Sequence, residues 1–276
     1  MKKWKITVLT LCCLMATFSL NIYKAKTEGK TVVTEVFEGS IFDGFIVRAG
    51  TNYTDVWSST SGNAVVDEIE TIVIGQHKSG DNYVVYRGFV IFDTITIPDM
   101  ANVTAATLSL CVASVPSQVN FNITIQKSAV TVNGQPEYPH IPLILEDYNN
   151  NQYTGNCGSR SIQDGFTINE YWNITLNAEG VNWINKVDWT RFCLRSSREI
   201  VGIQLEQDEY VVFCSAEHIP PKLYVTYEIS KQEVGGIILP TDKLSLLVSY
   251  IAATVISCVT IITIAHIKRA KRENTL

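Results

Sequence analysis

Histidine is scarce in this chain, basic side chains are scarce in its middle, and no pattern that announces enzyme chemistry is present. There is no Cys-x-x-Cys, and His77, His140 and His218 stand far apart, so no zinc-ligand spacing is formed. A Gly-x-Ser-x-Gly elbow, a His-Glu-x-x-His pair and a phosphate-binding loop are all missing, which excludes the hydrolases and nucleotide enzymes built on them. From Thr27 to Lys243 there are 26 acidic residues against 13 basic ones, a formal charge of −13. Such a surface repels polyanions, which argues against nucleic acid and anionic lipid as partners. Cations, neutral sugars and plain solubility remain compatible. No internal repeat or low-complexity tract occurs.

The two ends decide the compartment. Met1 to about Tyr23 begins with Lys2, Lys3 and Lys5 and runs apolar from Ile6 to Leu20, the order of a secretory signal peptide. Cleavage falls between Leu20 and Lys26, so residues 1–25 are read as the signal. The alternative is an uncleaved N-terminal anchor, for which an apolar run of ~15 residues is short of the ~20 a span needs. Leu244 to Ile267 is 24 residues without a formal charge, enough for one tilted transmembrane helix. Lys268 to Arg272, KRAKR, follow it, and basic residues flanking a span stay cytoplasmic. The expected layout is an exported domain over 31–228, a stalk over 229–243, a span over 244–267 and a basic cytoplasmic tail over 268–276. That makes a single-pass cell-membrane protein with its N-terminal domain extracellular. Cys258, deep in the span, reads as a small lipid- or helix-facing residue.

The exported part carries four sequons, at Asn52, Asn102, Asn122 and Asn173, each an N-glycan acceptor that requires an exposed asparagine. It also holds Cys111, Cys157, Cys193 and Cys214, an even number that suits an oxidising location and allows three pairings.

Runs rich in Val, Ile, Thr, Tyr and Phe predict strands at 31–37, 71–75, 84–93, 106–113, 121–125, 192–195, 210–214 and 223–228. One stretch departs: Asn177 to Asn185 predicts a short helix capped by Asn177, with Trp183 as a core plug. From Gln135 to Asp164 the chain reads as loop, with Pro136, Pro139, Pro142 and a run of Asn. Many short strands and few helices predict an all-β fold, a jelly roll or β-sandwich. In Val84 to Asp93 alternation puts Val85, Arg87, Phe89, Ile91 and Asp93 on one face and Val84, Tyr86, Gly88, Val90 and Phe92 on the other. Both faces are apolar at the middle, which predicts a central strand covered on both sides. Arg87 and Asp93 lie ~20 Å apart along it and cannot pair with each other. Arg87 therefore needs a carboxylate on an adjoining strand, because an unpaired buried charge costs several kcal/mol. Both are read as structural charges.

YRGFVIFDTITIP followed by ANVTAATLSL, with PPKLYVTYE near the end, resembles the DNRLRE-domain family, also classed as carbohydrate-binding module family 96. The matching residues are Arg87, Phe89, Phe92, Asp93, Pro98, Ala106, Leu108 and Leu110. WTRFCLRSS, PKLYVTY and the helix with Trp183 fit as well, so the resemblance spans roughly Val32 to Glu228. No D-N-R-L-R-E string is present. VGGIILPTDKLSLLVSYI is similar to the stalk-and-anchor of archaeal surface proteins. The resemblance implies a jelly-roll or sandwich fold and, for some members, polysaccharide binding. It transfers no binding residue.

The residues themselves offer poor catalytic sets. The carboxylates of Glu146/Asp147 and Glu206/Asp208/Glu209 read as solvated faces, and Cys157 in GNCGSR has no histidine beside it. The chain is expected to be non-enzymatic and without a cofactor. For binding, flat rings stack on sugars while polar groups read hydroxyls. The candidates are Tyr53, Trp57, Tyr138, Tyr148 and Tyr153, against ordinary loop packing. Calcium is a further candidate ligand, held by loop carboxylates and carbonyls, at Asp43, Asp93, Glu206, Asp208 and Glu209. If the strands around Phe192 and Tyr210 pair as sequential neighbours, Cys193 comes opposite Cys214 and a disulfide is feasible. The expected function is a membrane-anchored surface module for an envelope or extracellular polysaccharide. The alternative is a structural or adhesion protein of the envelope, self-associating and without a small ligand.

Overall fold

A computed structural model describes residues 29–205, 207–230, 257, 260 and 264. The chain divides into two units, Met1–Lys231 and Gln232–Leu276. In the second, Ser257, Thr260 and Ile264 are helical. The expected signal peptide lies outside the described residues, as does nearly all of the expected span. No helix among the described residues is long and apolar enough to cross a membrane.

The first unit is a curled antiparallel β-sheet. Its strands are β1 (Lys30–Glu38), β2 (Gly44–Gly50), β3 (Ala64–Val66), β4 (Thr71–Ser79), β5 (Asn82–Phe92), β6 (Asn102–Ser114) and β7 (Asn122–Ser128), then β8 (Thr131–Val132), β9 (Gln135–Pro136), β10 (Tyr153–Ser161), β11 (Tyr171–Thr175), β12 (Thr190–Ser196), β13 (Glu209–Cys214) and β14 (Lys222–Ser230). Twelve of them form one sheet, and β8 with β9 make a separate hairpin. This is consistent with the predicted sandwich or jelly roll. Each of the eight predicted strands lies within or overlaps an observed one. β2, β3, β8, β9, β10 and β11 are additional, and β9 and β10 correct the loop expected over 135–164. The last strand among the described residues runs through Ser230, so Ile229 is part of the sheet.

The curl comes from two long strands that each change neighbours. On β5, β2 holds one edge continuously, with Gly44 opposite Phe89 and Gly50 opposite Tyr83. The other edge is shared: β4 pairs up to Tyr86, and β12 takes over from Gly88 to Phe92. On β6, β11 holds one edge from Thr107 to Cys111. The other passes from β14, ending at Ser109, to β13, beginning at Val112. The sheet thereby opens into two halves, β3-β2-β5-β12-β7-β10 and β4-β13-β6-β14-β1 with β11, joined where β4 pairs β5. Gly75 sits at that joint, opposite both Tyr86 and Tyr210. Its φ is +120°, and a Cβ there would lie 2.1 Å from Glu209 O, so only glycine fits.

The period of two in each strand sorts side chains into two cores. Val90 and Phe92 of β5, Phe192 and Leu194 of β12, Leu108, Leu110 and Val112 of β6 and Phe213 of β13 fill the main core between the halves. Val85, Phe89 and Ile91 point the other way, into a second core closed by Tyr53, Val56, Leu143, Tyr148 and Tyr153. A fully buried side chain of this kind contributes about 1.5–3 kcal/mol. That is why β5 is apolar on both faces.

Among the described residues of this unit three short α-helices appear where one was expected, α1 (Tyr53–Trp57), α2 (Ala178–Asn182) and α3 (Ser197–Ile200), besides 3-10 turns at Leu145–Tyr148 and Asn150–Gln152. Asn177 does cap α2, accepting from the amides of Glu179 and Gly180, and Trp183 packs half-buried against the main core. The Cys193–Cys214 pairing is corrected. Cys193 lies opposite Phe89 and Gln126, whereas Cys214 lies opposite Thr71. β4 and β5 stand between β13 and β12, because the chain crosses from one half to the other after α3.

Candidate functional site

The most organised polar cluster is a buried charge hub on the outer face of β5 and β12. Alternation turns Arg87 toward the second core, where its guanidinium is fully buried. Nη2 donates to Glu199 Oε1 at 2.5 Å and to Trp57 O at 2.9 Å, and Nε reaches Glu199 Oε1 at 3.1 Å. Nη1 donates to Tyr148 O, and the guanidinium lies 4.0 Å from the centre of the Tyr148 ring. Arg195 of β12 grips the same carboxylate, Nε to Oε2 at 2.6 Å and Nη2 to Oε1 at 2.8 Å, with Nη1 on Gln126 Oε1 at 3.0 Å. The Glu199 backbone carbonyl in turn accepts from the Trp57 indole at 2.7 Å. The carboxylate that Arg87 needs thus comes from the helical turn after the adjoining strand, not from a strand. Burial pushes the Glu199 carboxyl up, but Arg195 and Arg87 outweigh it and hold it at about 2. Burial lowers Arg195 and Glu199 more than restores it. One arginine alone would leave this buried carboxylate poorly compensated; two, with three carbonyl and amide acceptors around them, satisfy it.

The hub accounts for the aromatic candidates. Tyr53, Tyr148 and Tyr153 are buried. The Tyr53 hydroxyl lies 2.9 Å from Gln76 Oε1 and from Ile203 O, and the Tyr148 hydroxyl donates to Val56 O at 2.9 Å. Trp57 is half-buried under its indole hydrogen bond, and Tyr138 is half-buried, edge-on to His140. Tyr53, Tyr148 and Tyr153 help roof the second core, with Trp57 and Tyr138 packed half-buried against it, because they sit in segments that fold down over the outer face of β5.

The carboxylate candidates do not converge. Asp43 is fully buried, Oδ1 accepting from the Ile91 amide at 2.6 Å while Oδ2 has no hydrogen-bond partner. Asp93 is exposed at the end of β5 and accepts from the Ile95 amide. Asp208 stands 3.5 Å from His77 Nδ1. Glu209 is buried, held by Ser196 Oγ at 2.5 Å and Arg198 Nε at 2.6 Å. Glu206 lies outside the described residues. Of the other pair, Glu146 is exposed while Asp147 turns inward onto His140 Nδ1 and the His140 and Ile144 amides. Among the described residues no group of three or more His, Cys, Asp or Glu side chains is placed to hold a metal ion. Cys157 is buried, and burial pushes its thiol up to about 12, which makes it a poor nucleophile.

The surface offers three further features. All four sequon asparagines are exposed. A hollow of about 330 Å³ is lined by Gln135, Asn182, Trp183, Asn185 and Lys186 among others. Its polar groups serve the protein itself: Asn185 binds Gln135, Lys186 binds the carbonyls of Asp99 and Ala101, and the Trp183 indole binds Arg191 O. The third is β1, the end strand of its half among the described residues. Its outer face runs Lys30, Val32, Thr34, Val36, Glu38, with Val32 62% and Val36 46% exposed. Sequence patterning marks β1 as a strand but does not reveal that it ends a sheet.

No family model and no curated protein matches the chain. A solved structure described as a cryo-EM structure of mud crab tombus-like virus is similar at 12% identity, over 81% of this chain and 89% of that one, with a TM-score of 0.29. A likeness of that size carries no argument.

Proposed function

We propose that this is a non-catalytic, membrane-anchored surface protein whose exported domain works by cohesion between copies. The observation that carries the reading is the self-complementary edge strand. Paired antiparallel with a second β1 about Thr34, the outer face matches Lys30 with Glu38, Val32 with Val36 and Thr34 with itself. Such an isologous contact continues the sheet across a twofold axis. It covers two exposed valines and brings Glu38 of the second copy up to the existing Lys30–Glu228 ion pair at each end. A single strand edge is a small interface, so the affinity in solution is weak. Tethering copies to one membrane raises their effective concentration and makes weak pairing sufficient. The four exposed sequons and the basic tail beside the apolar segment support export and anchoring.

The test is sedimentation of the full-length chain in detergent from micromolar to about millimolar concentration, with Val32→Lys/Val36→Lys as control. Concentration-dependent dimers that the double variant abolishes support the reading. A chain that stays monomeric throughout overturns it. A glycan-array signal from such a monomer would favour polysaccharide binding instead, with the hollow beside Trp183 as the first place to look.

A further inference from the structure

The antiparallel register of β6 and β13 sets Phe213 opposite Val112. Continued by one residue, it sets Cys214 opposite Cys111. Phe213 and Val112 belong to the main core, so alternation turns both cysteines to the other face of the sheet. Both are buried there, at 1% and 2% exposure. Tyr171 stands beside Cys111 in the ladder, and its hydroxyl donates to Pro220 O at 3.0 Å, tying the segment after β13 to this face. The neighbouring Cys111 thiol adds to burial in pushing the Cys214 thiol up. All four described cysteines are free thiols here, and the other two lie elsewhere: Cys157 in the main core and Cys193 in the second core.

We propose that Cys111 and Cys214 close a cross-strand disulfide between β6 and β13 when the domain folds in an oxidising environment. Opposed residues have Cβ atoms ~4.5–5.5 Å apart and a disulfide asks for ~3.5–4.5 Å, so the strands must approach by about 1 Å. The ladder is irregular beside the pair, where the partner jumps from Val112 to Ser114, and a bulge of that kind gives the strand room to shift. The oxidant is the disulfide of a thiol–disulfide oxidoreductase or of glutathione. One cysteine thiolate attacks it and displaces a thiol, and the second thiolate then breaks the mixed disulfide and releases the other thiol. Two electrons and two protons pass to the oxidant, and one S–S bond forms for one broken. Timing follows from burial. In the folded, reduced domain burial and the neighbouring thiol push Cys214 up to about 12, so the bond forms while the strands are still accessible and is protected afterwards. It falls where β6 passes from β14, last paired at Ser109, to β13, first paired at Val112, and so locks the joint at which the sheet curls.

The inference goes beyond the cohesion reading and borrows only its oxidising setting, which the experiment supplies chemically. The full-length chain is folded in mild detergent under a glutathione disulfide buffer, alkylated after denaturation without reduction, and digested. A linked peptide containing Cys111 and Cys214, with alkyl label on Cys157 and Cys193, is the expected result. Alkyl label on both Cys111 and Cys214, or either joined to another cysteine, overturns it. In parallel, the oxidised wild type should melt roughly 5–10 °C above its reduced form, and Cys111→Ala/Cys214→Ala should melt alike with and without reductant. A reductant-sensitive double variant would also overturn the assignment, because another bond would then carry the effect.

Discussion

Arg87 of β5 and Glu199 of α3 are 112 residues apart in the chain and 2.5 Å apart in the fold, both essentially buried. Replacing Arg87 with Met keeps the volume but leaves Glu199 with Arg195 alone and strips a donor from the carbonyls of Trp57 and Tyr148. Loss of one partner from a buried pair costs about 3–5 kcal/mol. Denaturant titration of the variant should show that loss. A change below about 1 kcal/mol would mean that the hub does not hold the second core together.

The same carboxylate sets an acid limit. Glu199 titrates at about 2 in the fold against an ordinary 4.5. A depressed carboxyl contributes stability that is complete above about pH 4.5 and is lost as pH falls toward 2. The difference of roughly 2.5 pH units corresponds to about 3 kcal/mol. Unfolding free energy measured from pH 5 down to 2 should fall more steeply in the wild type than in Glu199→Gln, which lacks the titrating group. Parallel curves would rule this out.

Asp43 behaves in the opposite sense. Burial, with a contribution from Glu217, raises its carboxyl well above 3.8 against the opposing amide hydrogen bonds of Ile91 and Ser40. Its stability contribution is present at low pH and declines as pH rises above 3.8, where the unfolded chain ionises and the folded one resists. Asp43→Asn keeps the acceptor for the Ile91 amide and removes the charge. Its melting temperature should exceed that of the wild type at pH 7.5, and the gap should close near pH 3.5. A variant that melts below the wild type at pH 7.5 would refute this account of Asp43.

Gly75→Ala tests the joint of the two halves. The new Cβ would meet Glu209 O at 2.1 Å at a φ of +120°, so backbone must move. Destabilisation of about 3 kcal/mol or more is expected. Hydrogen exchange should show the β4–β13 amides losing protection before those of β12–β7. Uniform protection in a variant of unchanged stability would sink the argument.

What the sequence makes legible is local. The β-formers of 84–93 announce a strand, and its two apolar faces announce that both sides are covered. Asn177 announces a helix start. What it leaves dark is set by distant partners. Nothing near Arg87 names Glu199, since the chain returns to it only after five more strands of the large sheet. YTGNCGSRS in β10 has few β-formers and follows prolines and asparagines, so its strand character comes from pairing with β7 rather than from its own residues. The tyrosines at 53, 148 and 153 stand in polar surroundings that suggest exposure, but their segments fold down as a second layer. The assumption that sequential strands are neighbours fails at β12 and β13 because they lie in different halves.

β14 is the last strand among the described residues, yet it is not at the rim: it is paired along Lys30–Glu38 of β1 on one side and along Asn102–Ser109 of β6 on the other. Lys30 lies opposite Ser230, so the chain enters and leaves this pair of strands at the same end. A force entering through residue 231 runs along β14 and meets both ladders side-on. Their hydrogen bonds are then loaded together in shear instead of being peeled one at a time. The domain should resist tension from that end better than a sheet whose rim strand is peeled away, which is what the anchored, cohesive role proposed above would require.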